Sequence, residues 1–172
     1  MGGFKLAVAY ILLSLRGDPT DEFFFPKFGK GRIIFLSMAT GSNSLNNHLA
    51  GAPILVAERE PVARSSLSEL FREGGHFVLE AADSDTAISK INNEAGLKVI
   101  MLDVEMPSWR TVVSHARGFR PAAVILGMST QDSSRTALDA QRLGVHGYLI
   151  KPLVFDDVCE TILRLITGRP LS

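Results

Sequence analysis

Cysteine is almost absent from this sequence. Cys159 is the single one in 172 residues, which excludes an internal disulfide, and neither cysteine pairs nor spaced histidine clusters offer a zinc site. Reducing cytoplasm is the compartment such usage fits. An excess of one charge is also missing. The 18 basic and 18 acidic side chains cancel, so no general affinity for nucleic acid or an anionic membrane is expected, and a partner must be recognised by a local surface. The apolar run Leu6 to Leu15, after Lys5, is too short to span a bilayer, and no small-residue cleavage site follows it. Secretion is therefore the weaker reading.

What is present is apolar mass: 46% of residues are hydrophobic, enough for one well-buried domain but not two ordinary ones. Residues 1–52 do not share the pattern of the rest. They hold an aromatic, Pro- and Gly-bearing stretch DPTDEFFFPKFGKGR, a strand-like IIFLSMA and a polar GSNSLNNHLAGAP that reads as linker. We take 1–52 as an extension with no compact fold of its own, or as sequence upstream of a true start at Met38. Residues 53–168 form the domain and 169–172 a tail.

From Ala52 the pattern is regular. ILVAERE (Ile54 to Glu60) is a strand ending in acids, and Pro61 opens a helix with Ala63, Leu67, Leu70 and Phe71 on one face. Gly74-Gly75 stops it. HFVLEAA is a second strand, followed by a helix that Ser84 can cap and in which Ala87, Ile88 and Ile91 lie together. KVIMLD is a third strand, Arg110 to Gly118 a short helix, AAVILGMS a fourth strand, and Arg135 to Leu143 a helix closed by Gly144. GYLIKP gives a fifth strand and Phe155 to Ile166 a last helix with Phe155, Val158, Ile162 and Leu165 inward. This alternation predicts an α/β fold, a flavodoxin-like doubly wound sheet of five parallel strands with helices on both faces.

Such a sheet binds ligands beyond the carboxyl ends of its strands. Glu58, Asp103, Ser129 and Lys151 stand at the ends of strands one, three, four and five, so two acids, a hydroxyl and an ammonium are expected at one rim. Singly, each has a plainer explanation as a cap, a turn residue or a solvated strand end. Together and in this order they indicate a site.

From about Ala52 to Gly168 the chain resembles a response-regulator receiver domain of two-component signalling. ILVAEREP resembles its acidic first motif, VIMLDVEMP its phosphoacceptor motif and GYLIKP its lysine motif. The resemblance implies that Asp103 takes a phosphoryl group from a sensor histidine kinase or phosphotransfer protein, with Lys151 supplying fixed positive charge and Ser129 a hydrogen bond. It also implies Mg²⁺ held by Glu58, Asp103 and the backbone carbonyl of Glu105, and a cis Lys151-Pro152 bond. Chemically, a carboxylate would attack phosphorus in line while cations neutralise the charge that develops. A receiver is a phosphoacceptor that promotes its own phosphotransfer and not a conventional enzyme.

Three features depart from the family pattern or carry its switch. Arg59 stands where a second acid usually ligates metal; a guanidinium cannot do so, but it can pair with Asp103. Thr130 replaces a very small residue and would crowd the phosphoryl site, and SWRT replaces a glycine-rich turn after Met106-Pro107. Tyr148 matches a switch aromatic that turns inward when the hydroxyl residue, Ser129, moves toward the phosphoryl group. The expected output face is the fourth helix, fifth strand and fifth helix, where Arg135, Asp139, Arg142 and Asp156 can meet a downstream protein. No direct contact with nucleic acid or membrane is expected. The chain reads as a stand-alone receiver or as one cut from a larger regulator or hybrid kinase. A phosphorylation-independent pseudo-receiver that binds protein is the main alternative. A flavodoxin-like nucleotide binder is remote, since EREPVAR lacks a Gly- or Ser/Thr-rich phosphate loop.

Overall fold

A computed structural model describes residues 45, 47–49, 51–131 and 133–168. The readings of residues 1–44, including the Met38 start, and of the 169–172 tail lie outside them. The described chain alternates β1 (Ile54–Ala57), α1 (Pro61–Glu73), β2 (Val78–Ala81), α2 (Ser84–Asn93), β3 (Val99–Asp103), α3 (Trp109–Phe119), β4 (Val124–Ser129), α4 (Ser134–Leu143), β5 (Gly147–Ile150) and α5 (Phe155–Thr167). All pairings are parallel, in the order β2-β1-β3-β4-β5. This is the expected doubly wound sheet.

Because successive strand residues point to opposite faces, each strand feeds two cores. Ile54, Val56, Val99, Met101 and Leu126 pack with Leu67 and Phe71 of α1 and with Val158, Cys159 and Ile162 of α5. Leu55, Ile100, Leu102 and Ile125 pack on the other side with Ala87 and Ile91 of α2, with Val112, Val113 and Ala116 of α3, and with Ala140 of α4. Each fully buried large side chain contributes about 1.5–3 kcal/mol of transfer free energy, which holds both layers on the sheet. Cys159 is buried in the α1/α5 layer. Burial pushes its thiol up to about 12, with Asp156 adding to the rise, so it remains a neutral core group.

Three local readings change. Asp83, not Ser84, caps α2 by accepting from the Thr86 N–H, while the Ser84 hydroxyl donates to the Pro107 carbonyl and ties α2 to the loop after β3. The third helix is longer than expected and begins at buried Trp109, with the Arg110 guanidinium 4.6 Å from its ring; Ser108, just before it, takes a left-handed φ of 60°. Finally, residues 45 and 47–49 of the stretch read as linker are helical, and Leu45 and Leu49 are buried in the α1/α5 core. Their spacing of four puts both on one helical side, a signal too short to stand out among polar neighbours.

Candidate functional site

The parallel register brings the strand ends level. Leu102 lies opposite Ala57, Asp103 opposite Met128, and Ser129 opposite Ile150, so Glu58, Asp103, Ser129 and Lys151 meet at one rim. The two acids are buried: Asp103 is 0% exposed and Glu58 2%. Two buried carboxylates are costly unless cations and donors answer them. The Lys151 ammonium lies 2.6 Å from Glu58 Oε2 and 3.5 Å from Asp103 Oδ1. Its backbone N–H donates to the Ser129 carbonyl, and the Lys151-Pro152 bond is cis. The Glu60 N–H holds Glu58 Oε1 and the Glu105 N–H holds Asp103 Oδ1. Lys151 thus spans both acids and sits closer to Glu58.

Arg59 completes the charge balance. The chain bends after β1, and the half-exposed side chain folds back over the rim: Nε is 3.5 Å from Asp103 Oδ2, Nη1 donates to the Glu105 carbonyl at 3.1 Å, and Nη2 donates to Glu105 Oε2 at 3.1 Å. Asp103 Oδ2 has no hydrogen-bond partner, so this cation is its principal neighbour. Glu60 does not reach the rim. It caps α1, accepting from the Val62 and Ala63 N–H groups, and those bonds lower its pKa. The arrangement does not fit a resident Mg²⁺. Of the three oxygens expected to hold it, two face Arg59 and the third side chain is held by Lys151. No group of three or more His, Cys, Asp or Glu side chains forms a metal cluster among the described residues.

The side chain that sequence reasoning missed is that of Glu105. Its Oε1 accepts from Ser129 Oγ at 2.8 Å, from the Thr130 N–H at 2.6 Å and from Thr130 Oγ1 at 2.6 Å. Burial alone would raise this carboxyl, but the Thr130 and Ser129 hydroxyls, the Thr130 N–H and the nearby Lys151 ammonium outweigh it and hold the pKa at about 2. Thr130 therefore does more than crowd the rim. Ser129 Oγ accepts in turn from the Gln131 N–H. An acid two residues after a strand-end acid, facing a Ser-Thr pair at the end of the neighbouring strand, was the available signal.

Tyr148 lies on β5 with its ring packed on the core and its hydroxyl buried without a hydrogen-bond partner. On the expected output face, Asp139 approaches Arg110 at 3.9 Å, Arg135 and Arg142 are exposed, and Asp156 is half-buried in the first turn of α5. Leu138 on α4, Ile150 ending β5 and Val154 preceding α5 are exposed apolar residues there.

A five-stranded parallel sheet in this order, with acids, hydroxyl and ammonium at its carboxyl rim, defines a CheY-like domain. Residues 54–163 match the response regulator receiver domain, and the chain belongs to that family. It is 25% identical over 120 residues to the glycerol metabolism activator of Pseudomonas putida, covering 67% of this chain and 54% of that protein. It is 30% identical over 115 residues to the transcriptional regulatory protein ZraR of Salmonella typhimurium, covering 66% of this chain and 26% of that one. The chain thus spans about half and about a quarter of these two relatives. The structure of the chemotaxis protein CheY4 of Vibrio cholerae superposes with a TM-score of 0.61 at 26% identity, over 66% of this chain and 98% of that one. Among the described residues no helix is long and apolar enough to cross a membrane.

Proposed function

We propose that this receiver domain is a phosphorylation-independent protein-binding module of two-component signalling, its acceptor site neutralised by its own side chains. The observation that carries this reading is Arg59. Its guanidinium lies against the Asp103 carboxylate and the Glu105 carbonyl, where a metal-dependent receiver would need an oxygen-lined cation site. With Lys151 on the other side, the charge that phosphoryl transfer would have to neutralise is already neutralised. Asp103 is fully buried beneath these groups, so an incoming phosphorus has no in-line path until Arg59 and Glu105 move. On this reading Mg²⁺ does not bind the resting protein, and the partner is a cytoplasmic protein that docks on α4-β5-α5 through Leu138, Ile150 and Val154, with Arg135, Arg142 and Asp156 around them. Neither nucleic acid nor membrane is a direct partner, and no substrate is turned over.

A second reading is favoured by the meeting of Asp103, Ser129 and Lys151 at one rim. Asp103 would then accept a phosphoryl group from a histidine kinase or a phosphotransfer protein; Oδ2 would form the new bond to phosphorus as the donor's bond breaks, and Lys151 and Ser129 would hold the equatorial oxygens. Intact-mass measurement after incubation with acetyl phosphate and Mg²⁺ separates the two. The first reading predicts no adduct. A hydroxylamine-labile phosphoryl adduct on the wild type that is missing from Asp103→Ala would establish the second and overturn the first.

A further inference from the structure

At the end of the sheet away from Asp103, His146 is tied to Ile125 twice. Its backbone N–H donates to the Ile125 carbonyl at 2.8 Å, and the Ile125 N–H donates back to ring Nδ1 at 3.0 Å. A backbone N–H can only donate, so Nδ1 carries no proton. Partial burial of the ring, and then the Arg117 charge, lower its pKa below 6.5; the ring is neutral near pH 7 and its proton is on Nε2. Nε2 lies 3.3 Å from Arg117 Nη1, which is also an N–H donor. Two donors face each other, a contact that repels where an acceptor would bond to both.

Shape, not a partner, holds Arg117 there. A Cβ at Gly144, whose φ is 103°, would come 2.9 Å from Arg117 Nε and 3.0 Å from Cδ, so the guanidinium crosses a position left open by a glycine. Its one acceptor among the described residues is the Pro121 carbonyl, a long 3.5 Å from Nη1. α3 has no acid, the single acid of α4, Asp139, approaches Arg110, and the Ala140 and Gln141 carbonyls that end α4 accept from the Val145 and Gly144 N–H groups.

We propose that Arg117 and His146 form a carboxylate-binding site at the amino-terminal ends of β4 and β5, the carboxylate accepting from Arg117 Nη1–H and His146 Nε2–H. An acceptor-only group with two oxygens turns the donor–donor contact into two charge-assisted hydrogen bonds. One guanidinium beside a neutral imidazole matches a single negative charge. A phosphate dianion would be half-neutralised, because the next cation in sequence, Arg120, is spent on the carbonyls of Asn92, Glu94 and Phe119. The site depends on neither reading of the Asp103 rim.

The test uses the full chain, ¹⁵N-labelled, at about pH 7.5, where a histidine of ordinary or lowered pKa is neutral. The His146 ring nitrogens should show the Nε2–H tautomer. Sodium acetate should move the His146 ring and Ile125 amide resonances saturably, with a midpoint of about 1–10 mM, and sodium chloride at matched ionic strength should not. A capped peptide with one glutamate and uncharged flanks is the second ligand: saturation by both admits a free acid or a protein side chain, saturation by the peptide alone selects the side chain, and either supports the site. Arg117→Gln, which keeps a donor and loses the charge, should raise the midpoint at least about tenfold. The wild-type titration decides alone if that variant unfolds. A ring proton on Nδ1, no saturable shift with either ligand, an equal response to chloride, a midpoint unmoved in folded Arg117→Gln, or tighter binding of inorganic phosphate than of acetate would overturn the proposal.

Discussion

Lys151 shows what a single residue does at this rim. Its ammonium is the only lysine or arginine nitrogen among the described residues within 4 Å of the Glu58 carboxylate, and it also reaches Asp103. Removing one partner from a buried ion pair leaves an uncompensated charge, at a typical cost of about 3–5 kcal/mol; partial exposure of Lys151 and the second cation on Asp103 place Lys151→Ala at or below the lower end, about 3 kcal/mol. Urea unfolding should show that loss, and Glu58→Gln in the same chain should restore part of it, a coupling a double-mutant cycle reads directly. A loss below about 0.5 kcal/mol would mean that Lys151 is in effect solvated. Glu58, Asp103, Ser129 and Lys151 were legible in the sequence because each follows an apolar strand, and the fold dictates where strand ends go. The Glu105 side chain and the grip of Arg59 on Glu105 were not, although the pairing of Arg59 with Asp103 was. Both depend on the rotamer of a long side chain in a bent segment, which no periodicity encodes.

At the scale of elements, β4 is shaped to receive β5. A Cβ added at Gly127 would lie 3.1 Å from Val104 Cγ1 and 3.2 Å from Tyr148 Cδ2, so this glycine makes room for the inward Tyr148 ring. Gly127→Ala should destabilise by about 1–3 kcal/mol through overpacking and displace the Tyr148 ring, seen as changed tyrosine ring-proton shifts. An unchanged melting temperature and unchanged ring shifts would remove that account. The turn from α1 into β2 carries a pH dependence instead. His76 is buried with no partner for Nε2, its ring 6.0 Å from that of Phe71, and burial holds its pKa below 6.5. The unfolded chain takes up a proton at about 6.5 while the folded one resists, so this contribution is fully present above that pH and is lost as pH falls toward the folded pKa. The urea midpoint should therefore drop between about pH 7.5 and 5.5, and His76→Leu should flatten that slope, leaving the share from His146, which is also lowered mainly by burial. A slope identical in the variant would assign the effect elsewhere. The apolar patterns made all ten strands and helices of the alternation readable, whereas the cap of α2 and the start of α3 were not, because Asp83-Ser84 offers two adjacent capping residues and boundaries such as Trp109-Arg110 shift by a residue without changing the apolar pattern.

Over the whole molecule the charges sum to zero, and at the rim the two buried acids, Glu58 and Asp103, are balanced by two cations, Lys151 and Arg59. That balance can be inverted by Arg59→Asp. The substitution takes the guanidinium away from Asp103 and from the Glu105 carbonyl, and puts a third carboxylate beside Glu58 and Asp103. Without metal, like charges now crowd a low-dielectric rim, so the variant should be less stable than wild type. Oxygen donors freed from the arginine are what Mg²⁺ prefers, so adding it should restore the variant, by about 2.7 kcal/mol when the ion is in hundredfold excess over its Kd. Wild type should gain almost nothing from Mg²⁺ beyond a matched monovalent salt control. Thermal unfolding with and without Mg²⁺, together with the amide shifts of Asp103 and Glu105, measures both halves; Trp109, packed inside the α3 core, is a weaker reporter. If wild type and variant bind Mg²⁺ equally tightly, Arg59 does not hold the metal's place, and the domain is an ordinary metal-dependent phosphoacceptor.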